Sequence, residues 1–276
     1  MNEINEDIQT NDFKTVEIPA DFIKNKSEEK KTGLKVCSML DLDSVEKIYS
    51  KSSSASNVRY ILHTEPVFSR KGQKKSCTSH LEWYDHRWLN KFLKHTFSII
   101  DFFKYPPYAI EIHPGMSKKG KNNIKTFSQA INTLHNEYFD KYGISPLIFI
   151  ENRSNQYIQD GTGIKEFWNY FKDEYAHLTK ETGIILDIQQ LYTSTKNFDF
   201  KGEFKKIPEE SLIGVHIHER HRKPLCKHIP KEIWQFVADN HHWSGKKNRS
   251  FHVLPEVHHS NDVKDTYSFC KNFLRI

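Results

Sequence analysis

The sequence predicts an α/β protein, a (β/α)8 barrel irregular near its first strands, and three observations lead there. Short, β-branched apolar runs alternate with helical or polar stretches, the pattern of parallel strands joined by right-handed crossovers. The runs are almost continuously apolar, so both faces of each strand are covered. The length, 276 residues, suits one such barrel.

The elements follow in order. Residues 1–32 are polar and charged, with one short apolar patch from Val16 to Ile23, and read as a loosely held arm. Residues 33–276 read as a single barrel domain. Its strands are GLKVCSML (33–40), VRYILH (58–63), YAIEIHPG (108–115), PLIFIEN (146–152), GIILDI (183–188), LIGVHIH (212–218) and FHVLPE (251–256). Helices are expected over 41–52, 80–104, 124–142, 164–181 and 230–241. Trp83, Trp88 and Trp168 fall in the helical stretches and are expected to pack the shell.

A hydrophobic fraction of 37%, with 19 Phe and 12 Tyr, is ample for a packed core. No apolar run has the length of a membrane span, and the N-terminus lacks a basic-then-apolar leader pattern. Cys37, Cys77, Cys226 and Cys270 are widely spaced, as expected of reduced thiols in a cytoplasmic protein with no membrane partner. The net charge is +6 and the pI about 8.9, a balance that favours polyanionic partners, nucleic acid above all.

The strand ends carry the chemistry. In order they finish on His63, His113, Glu151, Asp187, His216 with His218, and Glu256. The 35 acidic residues and 16 histidines fill only roughly one position in five, so this succession is far from random. In a parallel barrel the C-terminal strand ends open on one face, where the βα loops build the active site. Imidazole nitrogen mixed with carboxylate oxygen suits zinc, manganese or iron rather than calcium or an iron–sulfur cluster. The number of ligands exceeds the need of one tetrahedral ion, so two or three divalent ions are expected, zinc or manganese favoured and iron admissible.

The segment SLIGVHIHERHRKPLCKHIP (211–230) adds more donors. His216 and His218 share one side of a strand, and Cys226 and His228 are loop candidates for another ion. Basic residues cluster after three of the strands: Arg70, Lys71, Lys74 and Lys75; Lys118, Lys119 and Lys121; Arg220, Arg222 and Lys223. On βα loops they would draw a phosphate-rich substrate to the metal face. Gln190 and Tyr192, just beyond Asp187, are further substrate-contact candidates.

Taken in order, these motifs resemble the xylose isomerase-like barrel superfamily, and its endonuclease IV branch (AP endonuclease family 2) most of all. IHPG at Ile112 is similar to that family's histidine motif, and the likeness of ILHTEP to another of its segments implies that His63 holds a metal. IENRSNQ resembles its Leu-Glu-Asn-Thr segment, which implies that Glu151 bridges two ions. LDIQQLY, VHIHER, Cys226-Lys-His228 and LPEV match the segments that supply Asp187, His216, the loop ligands and Glu256. Two positions depart: Gln190 stands where the family has His, and Cys226 where it has Asp. The resemblance implies metal-dependent phosphodiester hydrolysis on nucleic acid, with catalysis centred on Glu151. LDIQQLYTSTKNFD is also similar to a stretch of the multinuclear iron oxidases of this fold, which implies iron-dependent oxidation of a peptide or small molecule as an alternative. A barrel that binds nucleic acid or a sugar phosphate without catalysis is a third reading. A sugar isomerase would call for a lysine in a strand-end motif, and none is present.

Overall fold

A computed structural model of the chain describes residues 15–19, 34–36, 59–64, 68–70, 81–103, 106–117, 120–195, 199–217, 231–246 and 251–255. The chain divides into two compact units, one spanning Lys14–Ile148 and the other carrying Phe149–Ile276.

In the unit Lys14–Ile148 the strands are β1 (Thr15–Pro19), β2 (Leu34–Val36), β3 (Arg59–His63), β4 (Phe68–Arg70) and β5 (Ala109–Ile112). β3 pairs in parallel with β1 on one side and β5 on the other, with Pro19 and Glu111 both level with His63. The apolar patch within residues 1–32 therefore supplies a strand, TVEIP. Within the run 33–40, expected as a barrel strand, the described residues form β2, which pairs antiparallel with β4 in a separate two-stranded ribbon. This is the irregularity anticipated among the first strands.

Helices α1 (His86–Phe103) and α2 (Ile124–Tyr142) belong to the same unit. α1 starts later than the sequence pattern suggested because Asp85 caps it. The Asp85 Oδ1 accepts the Arg87 and Trp88 amides at 2.8 and 3.2 Å, the bond pattern of a side-chain N-cap. α2 has a reciprocal capping box between Asn123 and Thr126 and stops at Gly143, whose φ of 69° is left-handed. Trp83, Trp88, Phe92 and Phe127 form an aromatic core between the helices and the strands, as expected for the tryptophans.

The other unit holds α3 (Gly161–Glu174), β7 (Thr182–Asp187), α4 (Ile188–Thr195), α5 (Phe200–Lys205), β8 (Leu212–Ile217), α6 (Lys231–Lys246) and β9 (His252–Pro255). The division between the units falls inside β6 (Leu147–Glu151). β8 pairs in parallel with β7 and β9, bringing Asp187 level with His216 and Ile217 level with Pro255. β7 and β8 are buried along their whole length, which is why they read as unbroken apolar runs. The helix expected over 164–181 is α3 followed by a short 3-10 turn, Ala176–Leu178. Helix α6 runs on to Lys246 rather than ending at 241. The short helix α5 was not expected, and the helix expected over 41–52 lies outside the described residues. No described helix is long and apolar enough to cross a membrane.

Helix α3 begins at two glycines for a steric reason. Asp160 caps it by accepting the Gly163 amide at 2.8 Å, and Glu203 of α5 receives the Thr162 amide and hydroxyl at 2.9 and 2.7 Å. A Cβ on Gly161 would stand 1.5 Å from the Glu203 carbonyl oxygen. Gly161→Ala must push α5 away, and it is expected to cost about 1–3 kcal/mol, read as a lower urea midpoint at unchanged slope.

Candidate metal-ligating side chains

In the unit Lys14–Ile148, His63 is the last residue of β3 and His113 directly follows β5. Strand alternation puts Glu111 on the same side as His113, and the parallel register sets it level with His63. All three are buried, Glu111 completely. The His63 Nε2 lies 2.9 Å from the His113 Nε2 and 3.9 Å from the Glu111 Oε1. Two imidazole nitrogens sharing a tetrahedral zinc at about 2.0–2.1 Å each would be about 3.3 Å apart. The observed pair needs only a small opening to receive an ion.

The backbone around these side chains is fixed by hydrogen bonds from neighbouring groups. Thr64 donates to the Glu111 carbonyl from its amide at 2.8 Å and its hydroxyl at 2.6 Å. The buried Trp83 indole donates to the His113 carbonyl at 3.0 Å. Past His113 the chain turns through Pro114 and Gly115, where φ is +89° and a Cβ would meet the Asn122 Nδ2 at 2.8 Å. Only glycine fits that turn. Asn122 holds it by donating to the Leu81 and Met116 carbonyls, each at 3.0 Å.

In the other unit, Glu151 ends β6, Asp187 ends β7 and His216 is the next-to-last residue of β8. All three are buried. The Glu151 Oε2 lies 3.7 Å from the His216 Nδ1. Asn152, fully buried, brackets the Asp187 peptide: its Oδ1 accepts the Asp187 amide at 2.8 Å and its Nδ2 donates to the Asp187 carbonyl at 3.2 Å. The Asp187 Oδ1 accepts the Gln190 amide at 2.8 Å and so caps α4. Gln190 in turn accepts from Ser154 through its side-chain oxygen. Tyr192 is exposed.

Carboxylates this deep are costly to bury as ions unless paired or coordinated. The buried imidazole and carboxylate side chains are of the type that could hold a metal ion, and the nitrogen–oxygen donor set fits a borderline divalent cation.

Of the other residues expected at the site, His218, Cys226, His228, Glu256, Lys118, Lys119, Arg220 and Arg222 lie outside the described residues. Arg70 is described through its backbone alone, in β4. Sequence reasoning passed over Glu111 and Asn152. The signal for Glu111 was a lone acid inside an apolar strand, two residues before His113. For Asn152 it was an amide directly after Glu151, where a strand end must satisfy its own peptides.

No protein-family model matches the sequence, and no curated protein matches it. Solved structures do. A D-tagatose 3-epimerase-like protein superposes with a TM-score of 0.60 at 12% identity, covering 99% of this chain and 95% of its own. An AP endonuclease of family 2 from Brucella melitensis gives 0.56 at 10% identity, covering 93% and 87%. A xylose isomerase domain protein from Alicyclobacillus acidocaldarius subsp. acidocaldarius gives 0.53 at 13%, covering 99% and 92%. The chain has a TIM-barrel fold. In a TIM barrel, active sites are built at the C-terminal ends of the strands. His63, Glu151, Asp187 and His216 occupy those ends, and His113 directly follows one.

Proposed function

We propose that the protein is a metal-dependent phosphodiester hydrolase acting on nucleic acid, similar in action to an apurinic-site endonuclease. The observation that carries the reading is that buried imidazole and carboxylate side chains stand at or just past strand ends in both units: His63 and His113 in one, Glu151, Asp187 and His216 in the other. One solved structure of this fold is an AP endonuclease, and the excess of basic residues suits a polyanionic substrate. Two or three bound divalent ions, zinc or manganese, would supply Lewis-acid chemistry for in-line displacement at phosphorus.

The chain's own residues hold and orient. His63 and His113 offer neutral nitrogens, and Glu151 and Asp187 offer the negative charge that a pair of divalent ions requires. His216 stands beside Glu151 and completes its surroundings. Cys226, His228, His218 and Glu256 are the further donors in this reading, and Arg70, Lys118, Lys119, Arg220 and Arg222 would grip substrate phosphates.

The test is elemental analysis of protein purified without chelators, followed by incubation with a labelled duplex containing one abasic site. Nicking at that site, abolished by chelation and absent on intact duplex, is the expected result. Protein that carries zinc or manganese yet neither binds nor nicks the duplex overturns the reading. Bound iron with colour and oxygen-dependent turnover replaces it with the oxidase alternative.

A further inference from the structure

We propose that Gln190 is a positioning residue that sets the geometry of Asp187 and Glu151, and is not itself a ligand; this rests on the metal-binding reading of those two carboxylates. The Gln190 Oε1 accepts the Ser154 hydroxyl at 2.6 Å and the Ser154 amide at 3.2 Å. An amide oxygen has two lone pairs and an amide nitrogen offers only donors. With both lone pairs taken by Ser154, the side chain has nothing left to give a cation. A histidine at this place would have a ring nitrogen to offer. Gln190 uses the place for a different purpose.

That purpose is visible in the bonds around it. The Gln190 amide donates to the Asp187 Oδ1 at 2.8 Å, which fixes the rotamer of that carboxylate at the start of α4. Ser154, held by the Gln190 side chain, lies three residues beyond Glu151. Between them Asn152 clasps the Asp187 peptide at both its amide and its carbonyl. The bonds close a circuit from the end of β6 through Ser154, Gln190 and Asp187 back to Asn152. Slack at any point passes to both carboxylates at once. Metal sites need ligands held within about 0.5 Å of the required geometry, and losing an outer partner typically weakens metal binding by about 10–100-fold.

The experiment compares Gln190→Leu, which keeps bulk and removes the acceptor, with Gln190→Glu, which keeps oxygen acceptors for both Ser154 donors. Metal dissociation constants are measured by chelator competition, with the unfolding midpoint of the metal-free protein as the control for folding. Gln190→Leu should bind metal at least about tenfold more weakly, while Gln190→Glu stays within about threefold of wild type. Equal affinity in Gln190→Leu and wild type, or a loss in Gln190→Glu as large as in Gln190→Leu, overturns the assignment. If wild type itself takes up no metal, the proposed function fails, and the circuit is then read in the metal-free protein by hydrogen exchange. There Gln190→Leu must speed exchange at the Ser154 amide by at least about tenfold relative to wild type, about 1.4 kcal/mol of protection; unchanged exchange overturns the circuit as well.

Discussion

Glu151→Gln should empty the protein of at least one metal ion and abolish turnover, and its effect on stability should differ between the loaded and metal-free states. Glu151 ends the apolar strand LIFIE with only 4% exposure, and its Oε2 lies 3.7 Å from the His216 Nδ1. Glutamine keeps the shape and removes the charge. In the metal-free protein the change replaces a buried carboxylate with a neutral amide, so it costs little or stabilises. In the loaded protein it removes the stability that binding contributes, about 2.7 kcal/mol when free metal stands at 100 times its dissociation constant. Urea melts with and without chelator, beside elemental analysis, separate the two states. An equal loss in both would make Glu151 a packing residue and sink its role as a ligand.

The second large effect is the loss of one and the same ion from His63→Ala and from His113→Ala. Their Nε2 atoms are 2.9 Å apart, too close for each to serve a separate cation without sharing it. Each single substitution should therefore remove one equivalent of metal and reduce nicking to background. The double substitution should remove no more than either alone, the non-additivity expected of groups acting as a unit. Two equivalents lost from the double variant against one from each single variant would assign the histidines to separate ions.

Much of this fold was legible because parallel strands buried on both faces leave an unbroken apolar trace. The runs ending at His63, Glu151 and Asp187 match β3, β6 and β7 to within a residue or two, and α2 spans the predicted 124–142. Elsewhere the pattern misled for local reasons. Gly161 and Gly163 look like helix breakers, yet they open α3 because α5 crowds the first and the Tyr157 carbonyl the second. The stretch IQQLYTST was not among the helices expected, yet Asp187 starts it as α4 by capping, and Ile188, Leu191 and Thr195 form its buried face. At the site, ligand types at strand ends were readable, whereas the groups that hold them were not. Asn152 and Thr64 act on backbone atoms of β7 and β5, and no spacing rule in one chain reveals which peptide an amide or hydroxyl will meet.

The hydrogen bond from the Trp83 indole to the His113 carbonyl gives the molecule an optical property of its own. Trp83 is buried, with Trp88 edge-on at 5.0 Å and Phe127 at 5.3 Å, so its emission is that of an indole shielded from water and tethered at its nitrogen to a single carbonyl. A cation held at His113 would act through space on that carbonyl and on the indole bonded to it. The fold thus carries a fluorophore wired to one candidate ligand. Filling and emptying around His113 would modulate the protein's own near-ultraviolet light, with no label attached.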